Sequence, residues 1–154
     1  MELCTSPDSA IGNRASSTCE VIRITEEDDI LSDAGFRNAL KAVNNHGVLL
    51  VIALDCIGGC GWQHVNRTRA GGPERIVQHQ AKFHKMLKRA QRIAQAAEAQ
   101  GGSIWFELGN SNSDWQDPAV IRFCERYDLN PVRIDGCRFG LCGKHELIKK
   151  PWKS

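Results

Sequence analysis

Gly-Val-Leu-Leu-Val-Ile-Ala-Leu-Asp-Cys, residues 47–56, is a near-continuous apolar run that stops at a polar pair and passes straight into the glycine-rich turn Ile57-Gly58-Gly59-Cys60-Gly61. A run of this length without polar alternation reads as a strand covered on both faces, the central strand of a parallel sheet. Ligands of open α/β sheets sit just outside the carboxyl ends of such strands. Asp55, Cys56 and the turn that follows them are therefore where chemistry is expected.

Working outward from this strand, Ser32 caps a helix over residues 32–45, with Phe36, Leu40 and Val43 at helical spacing and Gly47 as a stop. Before it, residues 19–25 read as a short strand that ends in Thr-Glu-Glu-Asp-Asp. Residues 1–4 read as the tail of a strand with most of its beginning missing, and residues 5–12 as a turn. After the central strand comes a long loop, residues 58–72, and then a long helix with Pro73 in its first turn and Gly101-Gly102 past its end. Ile76, Gln80, Phe83, Leu87, Ala90, Ala94 and Ala97 recur at steps of three and four, a stripe that must pack inward. Residues 103–108 form the next strand. Asp117 caps a helix beginning at Pro118 that turns Val120, Ile121, Cys124 and Tyr127 inward. Strands at 131–135 and near 146–149 close the chain. Strands alternating with helices predict a three-layer, Rossmann-like α/β domain with a mostly parallel sheet, one domain over residues 1–154.

Seven cysteines, an odd number, and no leader-like opening predict a reduced, intracellular setting, cytoplasmic or nuclear. No apolar segment approaches the roughly 20 residues of a membrane span, so no membrane partner is expected. The net charge of +2 hides a division: Glu20, Glu26, Glu27, Asp28, Asp29 and Asp33 crowd an early stretch, and Arg67, Arg69, Arg75, Lys82, Lys85, Lys88, Arg89 and Arg92 fill the middle. The basic residues of the long helix fit either a solvated face or a surface that meets nucleic-acid phosphates, with Arg67, Arg69, Lys82, Lys85 and Arg89 as the contacts.

Three groups carry candidate chemistry. Cys56, at the end of the central strand, and Glu107, at the end of the next, suit nucleophilic attack coupled to proton transfer; alternatively Cys56 is a small apolar residue closing a buried strand. Cys56, Cys60 and His64 are spaced by four, and Cys137, Cys142 and His145 cluster late, but neither group has the two-residue gap between paired cysteines usual for zinc. The third group is the opening loop, including Cys4, Ser6 and Asp8, with Glu26, Glu27 or Asp29 after the second strand. In dinucleotide and S-adenosylmethionine folds the first strand-to-helix turn approaches the ligand through its backbone, and an acid ending the next strand bonds the ribose. The alternative for those acids is turn capping, with Thr25 and Asp28 as a capping box.

Several phrases, in this order, resemble cytosine-5 DNA methyltransferases. They are Met1-Glu2-Leu3-Cys4, Leu54-Asp55-Cys56 before a glycine turn, Phe106-Glu107, and Asp135-Gly136-Cys137-Arg138-Phe139-Gly140-Leu141. The chain is more similar still to shortened versions of that domain in polyproteins of retrotransposon-like elements. The resemblance implies a methyltransferase-type fold, S-adenosylmethionine as cofactor, held by Cys4, Ser6, Asp8, Glu26 and Asp29, and a nucleic-acid substrate. It implies that Cys56 attacks carbon 6 of a flipped cytosine while Glu107 meets nitrogen 3. It also implies a degenerate or partial enzyme, with a non-catalytic nucleic-acid-binding or structural domain, or a zinc module on Cys56, Cys60 and His64, as alternatives. The family's Pro-Cys is Asp55-Cys56 here, its Glu-Asn is Glu107-Leu108, and its glycine-rich first loop is Thr5-Ser6-Pro7-Asp8. An acid beside the thiol opposes thiolate formation.

Overall fold

The apolar run forms β3 (Leu49–Ile52), with Leu50, Val51 and Ile52 buried on both faces. It lies inside a four-stranded sheet with β1 (Glu2–Leu3), β2 (Arg23–Ile24) and β4 (Ser103–Phe106), in the order β2-β1-β3-β4, and every neighbouring pair is parallel. The register sets two rows across it. Ile24, Leu3, Ile52 and Phe106 form one, wholly apolar and buried. Arg23, Glu2, Val51 and Trp105 form the other, on the opposite face because side chains alternate along a strand. Each fully buried Leu, Ile or Phe of the apolar row contributes roughly 1.5–3 kcal/mol.

The computed structural model describes residues 1–135 and 151–153. The chain divides into two units, Met1–Asp55 with His84–Phe106, and Cys56–Phe83 with Glu107–Ser154. The first unit holds the parallel sheet, α1 (Ala10–Asn13), α2 (Asp33–Ala42) and the larger part of α4 (Gly72–Ala99). Ser32 caps α2 as its sequence predicts, its hydroxyl accepting from Gly35 N at 2.9 Å. The helix stops at Ala42 rather than residue 45, and the left-handed Gly47, at φ +69°, lies in the turn beyond. The long helix keeps its inward stripe, with Ile76, Phe83, Leu87, Ala90, Ala94 and Ala97 all buried. It ends where the paired glycines say it should: Gly102 N bonds Ala97 O and Gly101 N bonds Glu98 O, with Gly101 at φ +69°.

In the second unit, α3 (Gln63–Asn66) and a short 3-10 turn (Ile57–Gly59) occupy what the sequence reads as loop. A second 3-10 turn, Ser113–Gln116, leads to α5 (Pro118–Arg126), capped by Asp117 with Pro118 at its start. Val120 and Phe123 are its buried residues, whereas Ile121, expected inward, is 40% exposed. β5 (Leu108–Gly109), β6 (Arg133–Asp135) and β7 (Pro151–Lys153) form an antiparallel sheet in the order β5-β7-β6. The expected strand over 103–108 is therefore two strands in two sheets, with Glu107 between them. The strand expected near 146–149 lies outside the described residues.

Candidate functional site

The carboxyl ends of β1 and β2 are neighbours, since Leu3 pairs Ile24 and Cys4 N donates to Ile24 O at 2.7 Å. The opening loop and the acidic turn after β2, which the sequence offers as one cofactor site, thus leave the sheet side by side in the first unit. Cys4 leaves β1 in the left-handed region, at φ 61°, which bends the backbone sharply at that point. Ser6 donates its hydroxyl hydrogen bond to the Asp8 carboxylate. That bond, Asp8's own backbone N–H and then the nearby Arg23 charge hold the Asp8 carboxyl below the ordinary value.

The acids divide by what they already hold. Asp28 accepts from Thr25 N at 2.9 Å, one half of the expected capping box, while Thr25 Oγ1 accepts from Glu27 N at 3.3 Å rather than from Asp28 N. Asp29, at φ 41°, accepts from Leu31 N at 3.0 Å. Glu26 is exposed. Of the expected acids, Glu26 is therefore the better suited to meet a ligand and Asp29 the less.

Sequence reading passed over Glu2. Its carboxylate is buried at 3% exposure, accepts from Ser9 Oγ at 2.5 Å and pairs with Arg23 Nε at 3.1 Å. Arg23 continues to Asn13 Oδ1 at 2.8 Å, and Asn13 Nδ2 to Asp8 O at 3.1 Å. Gly12 closes over this chain, where any Cβ would overlap Glu2 and Arg23. The signal was present: an acid inside a short apolar strand, with an arginine between the isoleucines of the next.

The second unit contains both members of the proposed catalytic pair, Cys56 and Glu107, each half-buried. Cys56 stands at the entry to the first 3-10 turn. Its carbonyl accepts from Gly59 N at 3.2 Å and from Asn112 Nδ2 at 2.8 Å. The same Asn112 uses Oδ1 to accept from Asp114 N at 2.8 Å, and Ser113 Oγ donates to Gly59 O at 3.3 Å. Gln63 Nε2 closes the other side on Ile57 O at 2.7 Å. The turn that presents Cys56 is thus held from two directions by side chains the sequence did not single out. Its glycines are sterically required: a Cβ on Gly59 would overlap Asn112 and Asp114, and one on Gly58 would crowd Gln80.

Cys4, Cys19, Cys56, Cys60 and Cys124 are thiols. Among the described residues no three His, Cys, Asp or Glu side chains stand close enough together to hold a metal ion, Cys56, Cys60 and His64 included. Cys137, Cys142 and His145 lie outside the described residues, as does the phrase from Gly136 to Leu141. Of the basic residues, Arg67, Arg69, Lys82 and Lys85 are exposed. Arg89 is turned to the protein: NH1 donates to Ser32 O at 2.6 Å and Ile30 O at 3.1 Å, NH2 meets Asp33 Oδ1 at 3.0 Å, and the guanidinium lies 4.8 Å from the Phe36 ring centre. No described helix is long and apolar enough to cross a membrane.

The fold and these two residue clusters define an α/β protein with candidate sites at the carboxyl ends of its parallel strands. Compared with protein-family models, with curated proteins and with solved structures, the chain matches none.

Proposed function

We propose that the first unit is an S-adenosylmethionine-binding domain of methyltransferase type, with Cys56 and Glu107 of the second unit as the nucleophile and proton donor of a methyl transfer to a cytosine base. The observation that carries this reading is the strand order β2-β1-β3-β4, all parallel, which reverses direction between β1 and β3. Ligands of such sheets bind at the carboxyl ends beside that reversal. A second observation tests the fit of a polar ligand there. Thr5 Oγ1, one residue past the left-handed Cys4, is buried and meets no hydrogen-bond partner among the described residues. A buried hydroxyl left unsatisfied costs about 1–3 kcal/mol, which a ligand polar group would recover.

Under this reading Thr5 and the backbone of Cys4 and Ser6 hold the cofactor's amino-acid end, with Asp8 beside them, and Glu26 with Asp29 flanks the ribose. The cofactor supplies an electrophilic methyl on a sulfonium. Cys56, as thiolate, adds to carbon 6 of the base, and Glu107 donates a proton or hydrogen bond to nitrogen 3 so that the ring accepts the electron pair. Were the cofactor bound, its methyl–sulfur bond would break toward carbon 5 with the cofactor leaving as the neutral thioether, and loss of the carbon-5 proton to solvent base would expel the Cys56 thiolate and restore the ring. Membership of a mobile-element polyprotein belongs to the same proposal and rests on the resemblance in sequence, and an intracellular setting is proposed from the odd number of cysteines.

Isothermal titration with S-adenosylmethionine decides the cofactor half. Micromolar binding weakened about tenfold in Thr5→Val and in Glu26→Ala, but kept in Cys56→Ser, is the expected result, tenfold being the worth of one hydrogen bond to a ligand. A folded protein that gives no binding heat removes the proposal.

A further inference from the structure

The stretch over residues 61–69 in the second unit is curled as a helix beyond the bounds of α3. His64 N bonds Gly61 O at 3.3 Å, Val65 N and Asn66 N bond Trp62 O at 3.1 Å, and Arg69 N bonds Asn66 O at 3.1 Å. Its inner side is fixed by Gln63, buried and bonded to Ile57 O at 2.7 Å and to Asn66 Nδ2 at 3.0 Å. Trp62 therefore points the other way, 74% exposed, with Val65 at 47% and the exposed Arg69 at the third and seventh positions after it. Residues so spaced share one side of a helical curl. A tryptophan left this open is unusual, because the indole is on average among the more buried side chains.

Charge says what covers it. Across residues 56–83 the only acid is Glu74, against Arg67, Arg69, Arg75 and Lys82. Arg75 is folded back onto Gly71 O at 3.2 Å and Ala70 O at 3.1 Å, whereas Arg67 and Arg69 are exposed, Arg69 on the indole's side of the curl and Arg67 farther round it. The partner must be anionic and must also offer a flat apolar face. A phosphate chain with unpaired bases has both properties; in a duplex the faces of the bases are already stacked.

We infer that Trp62, with Arg67 and Arg69, is a docking surface for single-stranded nucleic acid, one base stacking on the indole and the flanking phosphates meeting the two guanidiniums. This surface goes beyond the transferase reading, since it needs neither cofactor nor Cys56.

The test is fluorescence anisotropy of labelled oligothymidylate and oligouridylate of about 15 nucleotides, the span of a typical single-strand site, with the full chain and no cofactor. Expected is binding that weakens about tenfold or more in Trp62→Ala and is largely kept in Trp62→Phe, which retains an aromatic face. In the double variant Arg67→Ala, Arg69→Ala the slope of log affinity against log salt should become shallower by about 0.7 for each arginine removed. A duplex of the same length should bind more weakly. All three positions are exposed, so far-ultraviolet circular dichroism should be the same for every variant. Trp62→Ala binding as tightly as the parent overturns the inference, as does absence of binding at low salt. Self-association that depends on Trp62, with no oligonucleotide bound, would assign the face to a second copy instead. Cofactor titration of the same samples stands apart, so failure of one proposal leaves the other readable.

Discussion

At Asp8 the native structure holds a carboxyl below its ordinary pKa, chiefly through the Ser6 hydroxyl. Such a group stabilises the fold above its unfolded pKa and loses that contribution as pH falls through the lowered native value. The effect is therefore confined to acid solution, and Ser6→Ala should move the Asp8 titration, followed by carboxyl-carbon NMR, back up. Glu2→Gln has a different consequence. It leaves Arg23 without its buried partner and should cost about 2–3 kcal/mol in urea unfolding, less than for a fully buried pair because Arg23 is partly solvated. Asn112→Ala removes the amide bonded to both the Cys56 carbonyl and Asp114 N, and should cost about 1–3 kcal/mol. If Asn112 holds Cys56 in place, the pH profile of Cys56 alkylation should shift as well; an unchanged profile would reduce Asn112 to a general prop. Of these partnerships the sequence carried a sign of Glu2 with Arg23, but none of Asn112 with Cys56. Asn112 and Cys56 lie 56 residues apart, so the fold alone creates their nearness and no local pattern marks it, whereas Ser6 and Asp8 are near neighbours in the chain.

Elements were legible in proportion to their length. α4, with many turns of stripe and paired terminal glycines, is found almost whole, and α2 and α5 begin at the serine and aspartate that cap them. Two-residue strands show no period, which is why the strand expected over 19–25 contracts to Arg23–Ile24 and one strand past residue 102 becomes two. Ile121 misled because it follows the buried Val120 by one residue, a turn of about 100° that carries it off the inward face. Arg89 misled in another way: helical spacing put it among solvated cations, yet it reaches carbonyls at the start of α2 and covers Phe36. It fastens α4 to α2. Arg89→Ala should lower thermal stability by about 1–3 kcal/mol, and Arg89→Lys should restore little of it, because an ammonium lacks the planar fork. Ser32→Ala, at the cap beneath, should cost about 1 kcal/mol.

For the molecule, the class of fold was legible from the alternation of strands and helices, but strand order was not: parallel strands with apolar runs give no sign of which neighbours which. In the parallel sheet, β1 and β3 are bonded on both sides, with Val51 N on Met1 O and Ala53 N on Leu3 O. Amide exchange should accordingly be slowest at Cys4, Val51 and Ala53 and faster at the edge strand β2; equal rates across the sheet would count against the order given. The glycines beside Cys56 bear on descent. A side chain at position 59 would strike Asn112 and Asp114, whereas at position 61 no described atom lies within 4 Å. In lineages diverging from this chain, Gly59 should stay fixed and Gly61 drift. Selection would hold Gly59 for the shape of the turn even after any reaction had been lost, so its persistence would be no witness to catalysis. Replacement of Cys56 while Gly59 endures would date the moment when the scaffold outlived the chemistry.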